Sequence, residues 1–155
     1  MGEALKKRIL QDHFDSPSVE AMLNLLVAAD YMGRKADEVC AGFGITRGQF
    51  NVLRILKGAY PDGHPRCEII RRMLERAPDV TRLVDRLESL KLVVRDRAKE
   101  DRRLSIARIT PAGIDLLEKM EPRMKEMRDH FSERVSRRDC RELSRICEGL
   151  YGEDK

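Results

Sequence analysis

The chain has 155 residues, enough for one domain with its own core, and a formal net charge of +4 from 31 Lys and Arg against 27 Asp and Glu. Its 41% hydrophobic content excludes a disordered chain, and 10 Gly with 6 Pro are too few for a collagen-like or low-complexity one. No apolar run approaches the roughly 20 residues of a bilayer span, and MGEALKKRILQDHF lacks the apolar core of a secretion signal, so a cytoplasmic protein with no membrane partner is expected.

Few aromatics and many Leu, Glu, Lys and Arg favour helix. Residues 1–12 predict a short helix or arm with Leu5, Ile9 and Leu10 as its apolar contacts. Ser16-Pro17 is an N-cap followed by Pro at the first helical position. Val19, Met22, Leu23 and Leu26 then recur at helical spacing, and this helix is expected to run to about Cys40 and stop at Gly42 and Gly44. Thr46-x-x-Gln49 is a capping box opening a second helix, with Phe50, Leu53, Ile55 and Leu56 facing inward and an end at Gly58. Pro65 is expected to open a third, short helix bearing Ile69, Ile70, Met73 and Leu74, before a break at Arg76-Ala77-Pro78.

A fourth helix is expected from Pro78 to Leu90. Val80, Leu83, Val84, Leu87 and Leu90 form its apolar stripe, and Thr81, Arg82, Asp85, Arg86 and Ser89 lie on its other side. Two short helices, the second with an Arg-bearing polar face, suggest a helix-turn-helix. The β-prone runs KLVVRD and LSIARI flank the charged hexapeptide Ala98–Arg103 and predict a hairpin with a charged tip, placed as a wing. Thr110-Pro111 restarts helix. Leu117, Met120, Met124, Met127 and Phe131 form a heptad-like seam that suits either a partner helix or the core, and Pro122 should kink the helix. Ser136-x-x-Asp139 opens a last helix with Cys140, Leu143, Ile146, Cys147 and Leu150 apolar. The fold class expected is mainly α with a small β-hairpin wing.

Charge is not spread evenly. Residues 66–103 hold 12 basic and 8 acidic side chains, while the remainder holds 19 of each, so the whole excess sits on one quarter of the chain. A localised basic excess is the footprint of a polyanion partner. A solvated basic helical surface is the alternative.

Catalysis has no support, because the chain carries no Gly-rich phosphate loop, nucleophile elbow or H-E-x-x-H motif. Cys40, Cys67, Cys140 and Cys147 form no C-x-x-C pair, and His13, His64 and His130 have no ligand spacing, so neither a metal nor a cofactor is expected. In a reducing cytosol the four thiols are expected to be mostly buried. A redox-sensing cysteine is the competing use.

From Ile45 to about Leu117 the chain resembles the MarR family of winged helix-turn-helix transcription regulators. ITRGQFNVLRIL is similar to the family's helix opening, and VTRLVDRLESLKLVVRD to its recognition helix and the entry to the wing. Asp101-x-Arg103, five residues and Ile109-Thr110 match the family's D-x-R-x5-L-T signature with Ile for Leu, and PAGIDLL resembles the start of its long dimerisation helix. The chain departs from the pattern at Arg76-Ala77-Pro78, where the family often has a hydroxyl N-cap, and at Lys91, where it often has Gly.

The resemblance implies one MarR-like domain over 1–155, with a DNA-binding part at about 45–109 and dimerisation helices at about 1–41 and 110–152. It implies a homodimeric, ligand-responsive repressor on a pseudo-palindromic double-stranded DNA site. Thr81, Arg82 and Arg86 would lie in the major groove, although Asp85 or Glu88 competes for Arg86 within the helix. Arg103 would reach the minor groove or its phosphates, with Asp101 steadying it and Arg97, Lys99 and Arg102 on the backbone. For a small aromatic or lipophilic effector, Tyr31, Met32, Arg34, Phe50 and Arg54 are the candidate lining residues. A winged-helix protein-interaction module that reads no DNA, and a cysteine-based redox regulator, are the alternatives.

Overall fold

The computed structural model describes residues 2–76, 79–97 and 105–152. Elements follow in chain order as α1 (Glu3–Ile9), α2 (Pro17–Ala41), α3 (Arg47–Gly58), β1 (His64–Pro65), α4 (Arg66–Arg72), α5 (Val80–Ser89), β2 (Val93–Arg97), β3 (Ser105–Ile109), α6 (Pro111–Ser132) and α7 (Arg137–Tyr151). The three strands form one antiparallel sheet in the order β1-β3-β2.

Local chemistry sets most helix starts. Ser16, Thr46, Thr110 and Ser136 each accept a backbone N–H from three residues on, which satisfies one of the donors a helix start leaves free. At Thr46 the box closes both ways, since the Gln49 side chain accepts the Thr46 N–H at 2.9 Å.

Three boundaries differ from the sequence expectation. Pro65 does not open α4 from within; it caps the helix and pairs with Ile106 as part of β1, an element too short to leave a periodic signal. α4 ends at Arg72, so Leu74 lies beyond the helix and is exposed, and Ile70 is also exposed. The N-cap of α5 is Asp79, whose carboxylate accepts the Arg82 N–H at 3.0 Å. An acid therefore does the capping that a hydroxyl often does in the family.

The core gathers Val52, Leu53 and Leu56 of α3, Ile69 of α4, Val80, Val84 and Leu87 of α5, Val93 and Ile109 of the sheet, and Leu117, Met120 and Met124 of α6. Leu117, Met120 and Met124 of the α6 seam are thus buried within their own chain, with Met127 partly covered beside them. The helix continues through Pro122 without a break. Leu5 is buried, while Leu10 is almost wholly exposed. α7 has no buried residue at all, although its apolar stripe is where the sequence put it.

A Schellman turn links α5 to the wing: Leu92 N–H donates to Leu87 C=O and Lys91 N–H to Glu88 C=O. Lys91 sits in this turn at φ 60°, a left-handed conformation that Gly adopts without penalty.

Candidate nucleic-acid interface

α5 buries Val80, Val84 and Leu87, with Leu83 and Leu90 partly covered, so its opposite side is left to solvent. Arg82 and Arg86 stand on that side, both exposed and one turn apart. Neither has an acidic partner among the described residues. The acids expected to compete for Arg86 are engaged elsewhere. Arg95 of β2 reaches over to α5, with Nη1 2.7 Å from Asp85 Oδ1 and Nε donating to Glu88 Oε2 at 3.0 Å. The Arg95 guanidinium holds the Glu88 carboxyl below its ordinary range, chiefly through that hydrogen bond, and the guanidinium is itself raised by Glu88 and Asp85. Among the described residues, the arrangement neutralises two carboxylates of the helix and leaves Arg82 and Arg86 without an acidic partner.

Thr81 is half-buried and accepts a hydrogen bond from Arg66 Nη1 at 3.0 Å. Arg66 escaped the sequence reading. It counted towards the basic excess, but a contact spanning fifteen residues leaves no local signature.

In the wing, β2 and β3 pair from Val93↔Ile109 to Arg97↔Ser105. Arg108 is tied to Asp96 across the strands, and its Nε donates to the Asp62 carbonyl at 3.0 Å. Lys99, Asp101, Arg102 and Arg103 lie outside the described residues, as does the side chain of Arg97. Ala77 and Pro78 also lie outside them.

The candidate effector residues divide. Tyr31 and Met32 line two adjoining cavities of about 280 and 310 Å³ between α2 and α6, and Tyr31 Oη lies 3.2 Å from His130 Nε2. His130 was not foreseen there, since nothing in the sequence places it beside Tyr31. Arg34 is exposed and paired with Asp30 at 3.1 Å. Phe50 packs on the core and Arg54 is exposed, and neither lines these cavities. A larger cavity of about 570 Å³, also unforeseen, lies between α3 and α5 and is bordered by Arg47, Arg82, Leu83 and Arg86.

The thiols are less buried than expected: Cys40 is buried, Cys140 and Cys147 are half-buried, and Cys67 is exposed. Burial pushes the Cys40 thiol up to about 11, with Asp37 adding to the shift, which is the wrong direction for a reactive thiolate.

No protein-family model matches the chain. A MarR transcription factor from Planctomyces limnophilus is 34% identical over 88% of this chain and 98% of that one, with a TM-score of 0.68. The chain belongs to the MarR family. Among curated proteins, the HTH-type transcriptional regulator MhqR of Bacillus subtilis is 34% identical over 91 residues. That match takes in 58% of this chain and 57% of MhqR, and the chain spans no more than 66% of the length of the curated relatives it matches. The S. aureus MepR–DNA complex has the same fold at 24% identity, with a TM-score of 0.74 over 85% of this chain and 96% of that one. In MarR terms α5 takes the place of the recognition helix, and β2 with β3 that of the wing. Among the described residues, no helix is long and apolar enough to cross a membrane.

Proposed function

We propose that this chain is a cytoplasmic, ligand-responsive transcription regulator, a repressor that binds a pseudo-palindromic duplex as a homodimer. The observation that carries the reading is the face of α5: Arg82 and Arg86 have no acidic partner among the described residues while Arg95 occupies Asp85 and Glu88. A helix so arranged suits the major groove, where Arg makes bidentate contacts to guanine. MepR, which shares the fold, has been solved with DNA.

In this reading Arg82, Arg86 and Thr81 contact base edges. Arg97, Lys99, Arg102 and Arg103 contact the backbone or minor groove, and Asp101 steadies Arg103 without touching DNA, since a phosphate would repel it. Dimerisation falls to the terminal helices. Met22 and Leu26 of α2, and Leu143, Ile146 and Leu150 of α7, are all exposed in the single chain, so pairing them removes apolar surface from water. Two such heads would bind half-sites about one helical turn, roughly 34–36 Å, apart. A small aromatic or lipophilic effector in the cavities at Tyr31 and His130 would favour one head spacing over another.

Selection of bound duplexes from a random library by the purified protein, near physiological salt, tests the reading. An enriched inverted repeat with half-sites one turn apart is the expected result. Salt-sensitive binding without enrichment would overturn it in favour of an interaction module.

A further inference from the structure

Arg66 begins α4, yet its guanidinium reaches the first turn of α5. Its Nη1 donates to Thr81 Oγ1 at 3.0 Å. Arg has only donors, so in this bond the Thr81 oxygen must be the acceptor. The hydroxyl proton of Thr81 therefore remains to be given elsewhere. In the interior of a helix that proton returns to a carbonyl one turn back. α5 begins at Val80, so the carbonyls one turn back from Thr81, those of Ala77 and Pro78, precede the helix and lie outside the described residues. Nor is Arg66 diverted by an acid among the described residues: the nearest in sequence, Glu68, lies 2.9 Å from Arg71 and 3.1 Å from Arg72.

We propose that Arg66 is a positioning residue of the reading head. It occupies one lone pair of the Thr81 oxygen with a cationic donor and so biases Thr81 to donate its hydroxyl proton to an acceptor on a base edge in the major groove. The acceptors available there are N7 and O6 of guanine, N7 of adenine and O4 of thymine, whereas the amino groups of adenine and cytosine are donors that would have to share the Thr81 oxygen with the Arg66 guanidinium and are disfavoured. The inference rests on α5 being the helix that enters DNA. It adds to that reading a residue from the preceding helix and a direction for one hydrogen bond.

Duplex selection by four proteins tests it: the natural chain, Thr81→Val, Thr81→Ser and Arg66→Ala. Thr81→Val keeps the shape and removes the proton, while Thr81→Ser keeps both oxygen and proton. The expected result is that Thr81→Val and Arg66→Ala weaken preference at the same operator position by roughly 2- to 10-fold, the span of one hydrogen bond. Thr81→Ser should retain it, and the double variant Arg66→Ala/Thr81→Val should be no worse than Thr81→Val at that position. Thermal unfolding of each protein identifies any loss that comes from folding. Retained preference in Thr81→Val overturns the proposal. So does an Arg66→Ala chain that binds every duplex less tightly while keeping the preference Thr81→Val loses, because Arg66 would then be a phosphate contact only. No enriched motif with the natural chain would instead overturn the DNA-reading function itself.

Discussion

Arg95 Nη1 stands 2.7 Å from Asp85 Oδ1, a cation of the wing strand set against a carboxylate of the recognition helix. The same guanidinium also holds Glu88, so one residue joins two elements and neutralises two acids. Removing it should affect DNA more than folding. All three side chains are about a third or more exposed, and ion pairs of that kind contribute about 0–1 kcal/mol to stability. Arg95→Ala, however, leaves two uncompensated carboxylates on the face proposed for DNA. The urea midpoint should therefore move little, while affinity for the selected duplex falls at least roughly tenfold, since close like charges cost several kcal/mol where they are not screened. Unchanged affinity in a titration followed by fluorescence anisotropy would show that the acids face away from DNA.

The same cluster carries a pH dependence of definite sign. Glu88 is held below its ordinary value in the folded chain, so its contribution is fully present above the unfolded value, about 4.3. It is lost as pH falls through the lower folded value. Arg95→Met removes the cause of the shift. The stability difference between the natural chain and Arg95→Met should be constant from pH 7 to about pH 5 and shrink below about pH 4. Urea unfolding at a series of pH values measures it, and a difference that grows in acid contradicts the assignment.

Lys91 occupies the left-handed position of the Schellman turn at φ 60°. A side chain there costs about 1–2 kcal/mol in the folded state, partly offset because Gly loses more freedom on folding. Lys91→Gly should stabilise the chain by about 0.5–1 kcal/mol, read as a higher urea midpoint at unchanged slope. Gly63 is the converse. Its φ is 75°, and a Cβ built there would lie 2.1 Å from the Ala107 carbonyl oxygen of β3. Gly63→Ala combines the φ penalty with a backbone clash, so about 2 kcal/mol or more should be lost and the β1–β3 pairing loosened. A neutral midpoint for Gly63→Ala would count against this packing of β1.

How far the sequence carried these residues depended on the range of the interaction. The caps at Ser16, Thr46, Thr110 and Ser136 were legible because cap and recipient are three residues apart. The stripe from Val80 to Leu87 was legible because burial of one helix face imposes its period. β1 was not, since two residues have no period and pair only with a strand some forty residues later. Arg95 as the partner of Asp85 and Glu88 went unread for a related reason: the sequence shows only that these acids flank Arg86 on the same helix, while the turn at Lys91 swings Arg95 back across it. Likewise the seam of α6 showed which face is apolar but not whether the same chain or a second copy covers it.

Arg82 and Arg103 should fail differently. Arg82 projects from α5 with no acid to hold it among the described residues, so Arg82→Ala should cost roughly 1–3 kcal/mol of binding and relax preference at one position per half-site. Arg103 is assigned by the D-x-R signature to phosphates or the minor groove. Arg103→Ala should weaken binding to all duplexes alike and make the dependence on log salt shallower by about one unit. Binding isotherms from 50 to 300 mM salt, on the selected duplex and on scrambled ones, separate the two. Equal loss on every sequence for Arg82→Ala would remove it from base reading.

The exposed stripe of α7 gives the test of assembly. Leu143, Ile146 and Leu150 are 40%, 47% and 67% exposed, and the helix contributes no buried residue to its own chain. Changing them therefore leaves the core around Leu53, Leu87 and Met120 untouched. A charge placed in a paired apolar face must be desolvated without a partner, which is far costlier than leaving it in water. Leu143→Asp with Ile146→Asp should convert a dimer into a folded monomer, seen as a halved mass by sedimentation and an unchanged helical signal by circular dichroism. The monomer would hold one half-site, so affinity for the full inverted repeat should fall at least a hundredfold while a single half-site binds as before. A double variant that keeps the dimer mass would move the interface to another face of the chain.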